Sequence, residues 1–150
     1  MKATFDDRLN SRAVPPQRIH HVGIVVPDLD VAIAEYLSRL GGMVKVREVL
    51  ADQGVEAAAL DAGSSEVELI APVSEAGGVA RFLERRGPGL HHIAYAVGDL
   101  DATLRELEAN GAELIDRVAR IGLGGHRVAF VHPRSFGGVT LHFLQNMMRC

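Results

Sequence analysis

The sequence predicts a mixed α+β fold, made of two βαβββ modules whose sheets curl together into an open barrel or cup. The first observation behind this prediction is an internal repeat. HHVGIVVPDLDVAIAE at 20–35 returns as HHIAYAVGDLDATLRE at 91–106, and seven of the sixteen positions are identical. Self-similarity on this scale indicates a duplicated unit of secondary structure. The second observation is that each copy is followed by three further segments with the composition of strands.

Both copies begin with the same local pattern. An apolar run at about 19–26 or 92–97 predicts a strand. The next aspartate, Asp28 or Asp99, can cap an amphipathic helix, and glycines then end these helices. Three further strands are expected in each module: 43–50, 55–62 and 66–71 in the first, and 114–119, 126–131 and 138–144 in the second.

The modules make up a single domain over 18–150, which follows a flexible N-terminal arm at 1–17. They span about 18–72 and 90–145. The connector between them, 73–89, contains a short helix predicted from Gly78 to Arg86.

Composition limits the classes of function. The chain has 150 residues, 47% of them hydrophobic, and a net charge of −3. This weak negative charge argues against nucleic acid as a partner, so any anionic ligand needs a local arginine cluster. The single cysteine, Cys150, excludes an intrachain disulfide and a cysteine-based zinc cluster. We find no apolar window long enough to span a membrane and expect a cytoplasmic protein.

The repeat bears on a histidine in the last predicted strand, His142. Shifting the strand EVELIAP (66–72) by 74 residues, onto the strand that contains VTLHFLQ (139–145), aligns Glu68 with His142. The duplicated unit thus places a metal-suited residue at the same two positions in each half: His21 with Glu68, and His92 with His142. Histidines satisfied within a core are the alternative. Four such residues at equivalent strand positions favour a metal site over that alternative.

This donor set suits a divalent metal ion. Imidazole nitrogens with one carboxylate bind cobalt, manganese, iron, nickel or zinc. A site without thiolates that keeps open positions is typical of metals that polarise a carbonyl or bind oxygen.

The paired-histidine strands on βαβββ modules resemble the vicinal oxygen chelate superfamily, which includes glyoxalases, extradiol dioxygenases, fosfomycin-resistance proteins and methylmalonyl-CoA epimerases. The closest resemblance is to the epimerases, and it covers nearly all of 19–144. The motifs that carry it are HHVGIVVPDLD (20–30), DQGVEAAAL (52–60), VELIAPV (67–73), FLERRGPGLHHIAYAV (82–97) and RIGLGGHRVAFVHPRSFGGV (120–139).

The resemblance implies a metal bound by His21, His92 and Glu68, and chelation of a malonyl thioester so that its α-proton can be removed and returned. The chain departs from this pattern in two places. His142 stands where the family has a glutamate that is a ligand and a candidate acid/base. Ala57 stands where some epimerases have a second carboxylate, and the neighbouring Glu56 should point to the opposite face of its strand.

Three functions remain open. The first is an epimerase or isomerase of an acyl-CoA or related dicarbonyl compound, with Glu68 and His142 as catalytic groups. The second is a redirected enzyme with a three-histidine, one-glutamate metal site, such as a non-haem iron dioxygenase or a lyase or isomerase of specialised metabolism. A metal-free resistance or binding protein ranks third.

The remaining polar candidates carry weaker predictions. His20 and His91 should face away from His21 and His92, because neighbouring side chains alternate along a strand. We expect them to pack or hydrogen-bond within the sheet, with support of a metal ligand as the lesser alternative. Basic and small residues near the Gly-rich turn could contact a small-molecule substrate, although a solvated basic loop is as good an explanation. The resemblance also implies a homodimer. The predicted substrate contacts are Arg120, Gly125, Arg127, Arg134 and Ser135.

Overall fold

The computed structural model describes residues 15–146 and contains both predicted modules. In the first, β1 (Arg18–Val25) leads through α1 (Leu29–Leu40) to β2 (Val44–Leu50), β3 (Val55–Ala62) and β4 (Ser65–Pro72). The connector carries α2 (Gly78–Arg86). In the second, β5 (Gly89–Ala96) leads through α3 (Leu100–Ala109) to β6 (Arg120–Ile121), β7 (Arg127–Val131) and β8 (Thr140–Gln145). Most of the predicted N-terminal arm, 1–14, lies outside the described residues, as do 147–150.

All the strands belong to one curved sheet of eight, in the order β2-β3-β4-β1-β5-β8-β7-β6. The first strands of the modules, β1 and β5, pair antiparallel at its centre, and each also pairs in parallel with the last strand of its own module. This arrangement confirms the predicted α+β class and the duplicated architecture. It also brings β1, β4, β5 and β8, which carry the four predicted ligands, side by side.

The predicted helix caps form in both modules. The side chain of Asp28 accepts a hydrogen bond from Val31 N at 3.0 Å, and Asp99 accepts one from Ala102 N at 3.0 Å. Each cap satisfies an N–H group that the first turn of a helix leaves unpaired. The short helix predicted for 78–86 is also present.

One predicted strand is wrong. Instead of a strand at 114–119, the structure has an isolated bridge at Leu114 and a two-residue β6 further along. The carboxylate of Asp116 accepts a hydrogen bond from Phe130 N at 2.9 Å and so takes the place of a strand carbonyl. The backbone at 113–116 hydrogen-bonds to the end of β7 around this bridge, including Ile115 N to Phe130 O at 3.0 Å, but regular pairing stops where the Asp116 carboxylate takes the N–H group of Phe130.

The two faces of the sheet have different neighbours. On β4, Leu69 and Ala71 pack with α1 in one apolar cluster, and on β8, Leu141 and Phe143 pack with α3 in another. Side chains alternate along strands, so Glu68 and His142 point to the opposite, concave face. The helices therefore stabilise the outer face, and the concave face is left for a site.

Candidate metal centre

The concave face encloses a cavity of about 880 Å³. Both modules line it, with β2, β3 and β4 on one side and β7, β8 and the Gly-rich turn after β6 on the other. A cavity of this size is in the range of small-molecule and cofactor sites. All four predicted metal ligands, His21, Glu68, His92 and His142, line its wall.

Three histidines meet at the bottom of this cavity. His21 Nε2 lies 3.0 Å from His92 Nε2, and His142 Nδ1 lies 3.3 Å from the same atom. One nitrogen from each ring falls within 4.8 Å of the others, so the group could hold a metal ion. The three residues are only 2%, 1% and 5% exposed.

Glu68 completes the group from the first module. Its Oε2 lies 3.0 Å from His21 Nε2, on the strand that pairs in parallel with β1. The structure thus brings together the four residues that the repeat singled out. Phe130 of β7 also packs on this group, because its ring stacks on that of His142 with 4.3 Å between centroids and 8° between planes.

Burial sets the protonation of the cluster. It lowers the pKa of His21 to about 3, with further lowering by His20 and His126, and it holds the pKa values of His92 and His142 well below 6.5. Burial, and then the charge of Glu66, raises the pKa of Glu68 to about 7. Neutral imidazoles keep free lone pairs at neutral pH, and a desolvated carboxyl group is most readily ionised by a nearby cation.

These observations fit a divalent metal ion. His142 Nε2 is buried and has no hydrogen-bond partner among residues 15–146, which is costly unless another ligand uses the nitrogen. Three imidazoles and a carboxylate are ordinary donors for first-row divalent metals.

The prediction that His20 and His91 face away from the site is wrong. The pairing of β1 with β5 is irregular between Ile19 and His21 and again opposite His91, so neither histidine has a strand partner there. These bulges interrupt the alternation of side chains. His20 Nδ1 lies 2.8 Å from His21 Nδ1, and His91 Nδ1 lies 2.8 Å from His92 Nδ1. Both rings therefore support a predicted ligand.

Gly23 is a residue of the site that the sequence interpretation missed. It is paired with His92 across β1 and β5. A Cβ atom at this position would overlap the His92 ring and lie 2.6 Å from its Nε2. The repeat contains a signal for this role, because the equivalent position in the second copy is Ala94. Only the first copy makes room for a ring from the other module.

Glu56 lies on the face of β3 that the sequence predicts, opposite to that of its neighbour Ala57. Glu56 accepts hydrogen bonds from Arg47 Nη2 at 2.6 Å and Nε at 2.9 Å, and Arg47 also binds Asp30 of α1. This confirms that Glu56 points away from the cavity, while Ala57 is fully buried. Glu48, which pairs with Ala57 from the adjacent strand, was not predicted and lines the cavity.

The predicted substrate contacts divide into two groups. Arg120 lines the cavity and pairs with Asp116 at 3.1 Å, and Gly125 adjoins residues of the lining. The other three have contacts outside the cavity lining. Arg127 pairs with Asp101 at 2.8 Å, Arg134 lies 3.9 Å from Glu113, and the Ser135 hydroxyl accepts a hydrogen bond from Glu113 N at 2.7 Å.

Comparison with known proteins gives the class to which this fold and site belong. The family model of the Glyoxalase/Bleomycin resistance protein/Dioxygenase superfamily matches residues 20–130, and the chain belongs to that superfamily. The ethylmalonyl-CoA/methylmalonyl-CoA epimerase of Cereibacter sphaeroides is 35% identical over 130 residues, which cover 85% of this chain and 97% of that protein.

Solved structures of epimerases are also similar to this chain. The crystal structure of methylmalonyl-CoA epimerase from Mycobacterium tuberculosis matches with a TM-score of 0.85 and 36% identity, over 91% of this chain and 95% of that one. A Streptomyces coelicolor methylmalonyl-CoA epimerase variant in complex with 2-nitronate-propionyl-CoA matches with a TM-score of 0.87 and 31% identity, over 89% and 100% of the two chains. The resemblance to epimerases noted in the motifs is confirmed, and the homologues of this chain are isomerases.

Proposed function

We propose that this protein is a metal-dependent isomerase that exchanges the α-proton of an acyl-CoA bearing a second carbonyl or carboxylate group, such as methylmalonyl-CoA. The observation that carries the proposal is the convergence of three neutral histidines and Glu68 inside a cavity of about 880 Å³. The similarity of the chain to epimerases whose structures bind acyl-CoA compounds supports the substrate class.

His21, Glu68, His92 and His142 would hold the metal, which we propose to be cobalt, manganese, iron, nickel or zinc. When bound, the ion supplies a Lewis acid for the negative charge that develops on a substrate oxygen. The chain itself supplies the cavity that excludes water and the histidine pairs that orient the ligands.

We assign proton transfer to Glu68 and, as the alternative to its role as a ligand, to His142. They stand on the last strands of the two modules, β4 and β8, and both face the cavity. Removal and return of a proton on opposite faces of a carbon needs a group on each side. Among the predicted substrate contacts we retain Arg120 and the turn at Gly125, because they lie at the cavity lining and Arg127, Arg134 and Ser135 do not.

The test combines metal analysis with incubation of methylmalonyl-CoA in deuterated water. We expect bound metal and deuterium at the α-carbon in the native protein, and loss of both in His92→Ala. His132→Asn is the matched control, since His132 caps the turn after β7 and Asn can keep its hydrogen bond to Arg134 N. Protein that is purified without chelators and contains no metal would contradict the proposal.

The two positions at which the chain departs from the epimerase pattern, Ala57 and His142, favour a second function. Ala57 is buried where some epimerases have a carboxylate, and His142 occupies the last-strand position with a neutral ring. A three-histidine, one-glutamate site would also suit a non-haem iron dioxygenase, or a lyase or isomerase of specialised metabolism. Bound metal without α-proton exchange would contradict the epimerase and favour this alternative.

Two further proposals concern the whole molecule. We propose a homodimer, supported by the 62% exposure of Leu90 on the central strand β5, and sedimentation analysis would test it.

No helix within residues 15–146 is both long and apolar enough to cross a membrane. A cytoplasmic location is proposed on the absence of any need for disulfides, since the chain has a single cysteine.

A further inference from the structure

A second, smaller cleft opens beside the main cavity. It has a volume of about 240 Å³ and lies between α2 and the turn that leads into β8. Gly78, His91 and Thr140 line both spaces, so the cleft adjoins the main cavity. We call it the arginine cleft because Arg81, Arg85 and Arg86 line it.

The charges of the two spaces differ. The cations that line the main cavity are already paired: Lys45 with Glu66 at 2.7 Å, and Arg120 with Asp116 at 3.1 Å. The same wall also carries the side chain of Glu48, which accepts a hydrogen bond from Gly124 N at 3.1 Å. Outside the histidine cluster, an anionic group of a ligand would therefore meet only paired cations and carboxylates on the described lining of the main cavity.

The arginine cleft has the opposite character. Across residues 15–146, no carboxylate lies within 4.0 Å of the guanidinium groups of Arg81, Arg85 or Arg86. Arg81 and Arg85 are one helical turn apart and share a face of α2. The Arg86 guanidinium lies 5.6 Å from the centroid of the Phe82 ring, which restricts its position.

We infer that the arginine cleft binds the phosphate groups at the nucleotide end of the acyl-CoA whose acyl end lies at the histidine cluster. The inference rests on the proposed function for the identity of the ligand, and on the cleft for its position. Guanidinium groups bind phosphate oxygens through paired, charge-assisted hydrogen bonds. The net charge of −3 gives no general attraction for a polyanion, so this local cluster must supply it.

Calorimetric titration with free CoA tests the inference without requiring turnover. The native protein is compared with Arg81→Gln and with the double variant Arg81→Gln/Arg85→Gln. We expect CoA affinity to fall about tenfold in the single variant, as for the loss of one charge-assisted hydrogen bond, and further in the double variant. Both sites are on an exposed helix face where glutamine is a good helix former.

The matched control is Arg39→Gln, which removes an exposed arginine from α1 on the outer face of the sheet. It should leave CoA affinity within about twofold. A second arm measures α-proton exchange with methylmalonyl-pantetheine, which lacks the nucleotide phosphates. Its KM should be the same in the native protein and in the cleft variants, whereas the KM for methylmalonyl-CoA should rise in the variants.

The outcomes separate the inference from the proposed function. If the native protein binds CoA and the double variant binds it equally well, the assignment of the CoA phosphates to the arginine cleft is wrong and the proposed function stands. If native protein neither binds CoA nor exchanges protons in either thioester, both fail. A parallel rise in KM for the pantetheine thioester would also overturn the inference, because it would show damage at the acyl end of the cavity.

Discussion

The Nε2 atoms of His21 and His92 lie 3.0 Å apart, although 71 residues separate them in the chain. They occupy the same position in the two copies of the repeat, on strands that pair at the centre of the sheet. Burial keeps both rings neutral, so at most one of these two nitrogens can carry a hydrogen toward the other. A cation that accepts the lone pair of each nitrogen would satisfy both of them at once.

The first prediction concerns the room that Gly23 makes for His92. Gly23→Ala should displace the His92 ring and destabilise the protein by about 1–3 kcal/mol, as overpacking of a buried site does. It should also weaken metal binding. Urea unfolding and competition with a chelating dye measure the two effects.

The controls for Gly23→Ala separate a local clash from general damage. Gly98→Ala should be nearly neutral, because the added Cβ would meet only Gln17 Nε2, at 3.4 Å. In a His92→Ala background, Gly23→Ala should cost much less than in the native protein, since the ring that it would strike is gone. An equal cost in both backgrounds would contradict the assignment.

The second prediction concerns the histidines that precede the ligands. If His21 and His92 bind metal through Nε2, each carries its hydrogen on Nδ1 and donates it to the Nδ1 of His20 or His91. His20→Phe and His91→Phe keep a ring and remove the acceptor. Each should lower metal affinity by about 10- to 100-fold, as loss of such supporting hydrogen bonds does.

Metal affinity is again read by chelator competition, and unfolding of the metal-free protein gives the second measurement. A purely structural role would lower the free energy of unfolding and leave affinity unchanged in the protein that remains folded. His132→Asn should leave both quantities near their native values, since His132 contacts none of these rings in the described structure.

The third prediction is the pH dependence of the metal-free protein. The pKa of His21 falls from 6.5 to about 3 on folding, so its contribution to stability is complete above pH 6.5 and is lost as the pH falls toward 3. His92 and His142 act in the same direction. The raised pKa of Glu68 acts oppositely: its contribution is complete below pH 4.5 and is lost as the pH rises through 7.

Three histidines outweigh one carboxyl group, so the metal-free protein should lose stability steeply between pH 6.5 and 4. Each histidine adds up to about 1.4 kcal/mol per pH unit to the slope. His142→Phe removes one of these histidines and retains a ring against Phe130. The slope of its unfolding free energy against pH should therefore be smaller by up to about 1.4 kcal/mol per pH unit. Urea unfolding at a series of pH values measures the slopes. Identical slopes would show that His142 is not held neutral by burial.

The sequence was sufficient to predict the modules and to single out the four candidate ligands on the cavity wall, because the repeat constrains both. Glu68 and His142 align in sequence, and alternation along β4 and β8 places both on the concave face. The prediction from side-chain alternation failed at His20 and His91, where bulges turn both rings toward the candidate ligands. A bulge depends on the register between distant strands, which the local pattern of one strand does not contain.

The strand expected at 114–119 failed for a related reason. Its apolar residues suit a strand, yet Asp116 pairs with Arg120 and with the β7 backbone. Side-chain competition for backbone hydrogen bonds of this kind depends on which strand lies alongside. The roles of Gly23 and Glu48 likewise depend on cross-strand partners, His92 and Ala57, that only the folded sheet identifies.

The last prediction concerns His142, whose pKa is held well below 6.5 by burial and by the neighbouring histidines. A neutral imidazole with so low a pKa is a weak base, and its single lone pair cannot serve both a metal and a proton, whereas a carboxylate can bind a cation through one oxygen and accept a proton on the other. His142→Glu should therefore keep the metal and raise α-deuterium incorporation into methylmalonyl-CoA at least about tenfold. His142→Gln, which has similar length and no charge, is the matched control and should not raise it. A lower rate in His142→Glu with metal retained would mean that the native ring, rather than a carboxylate, is what the reaction of this protein requires.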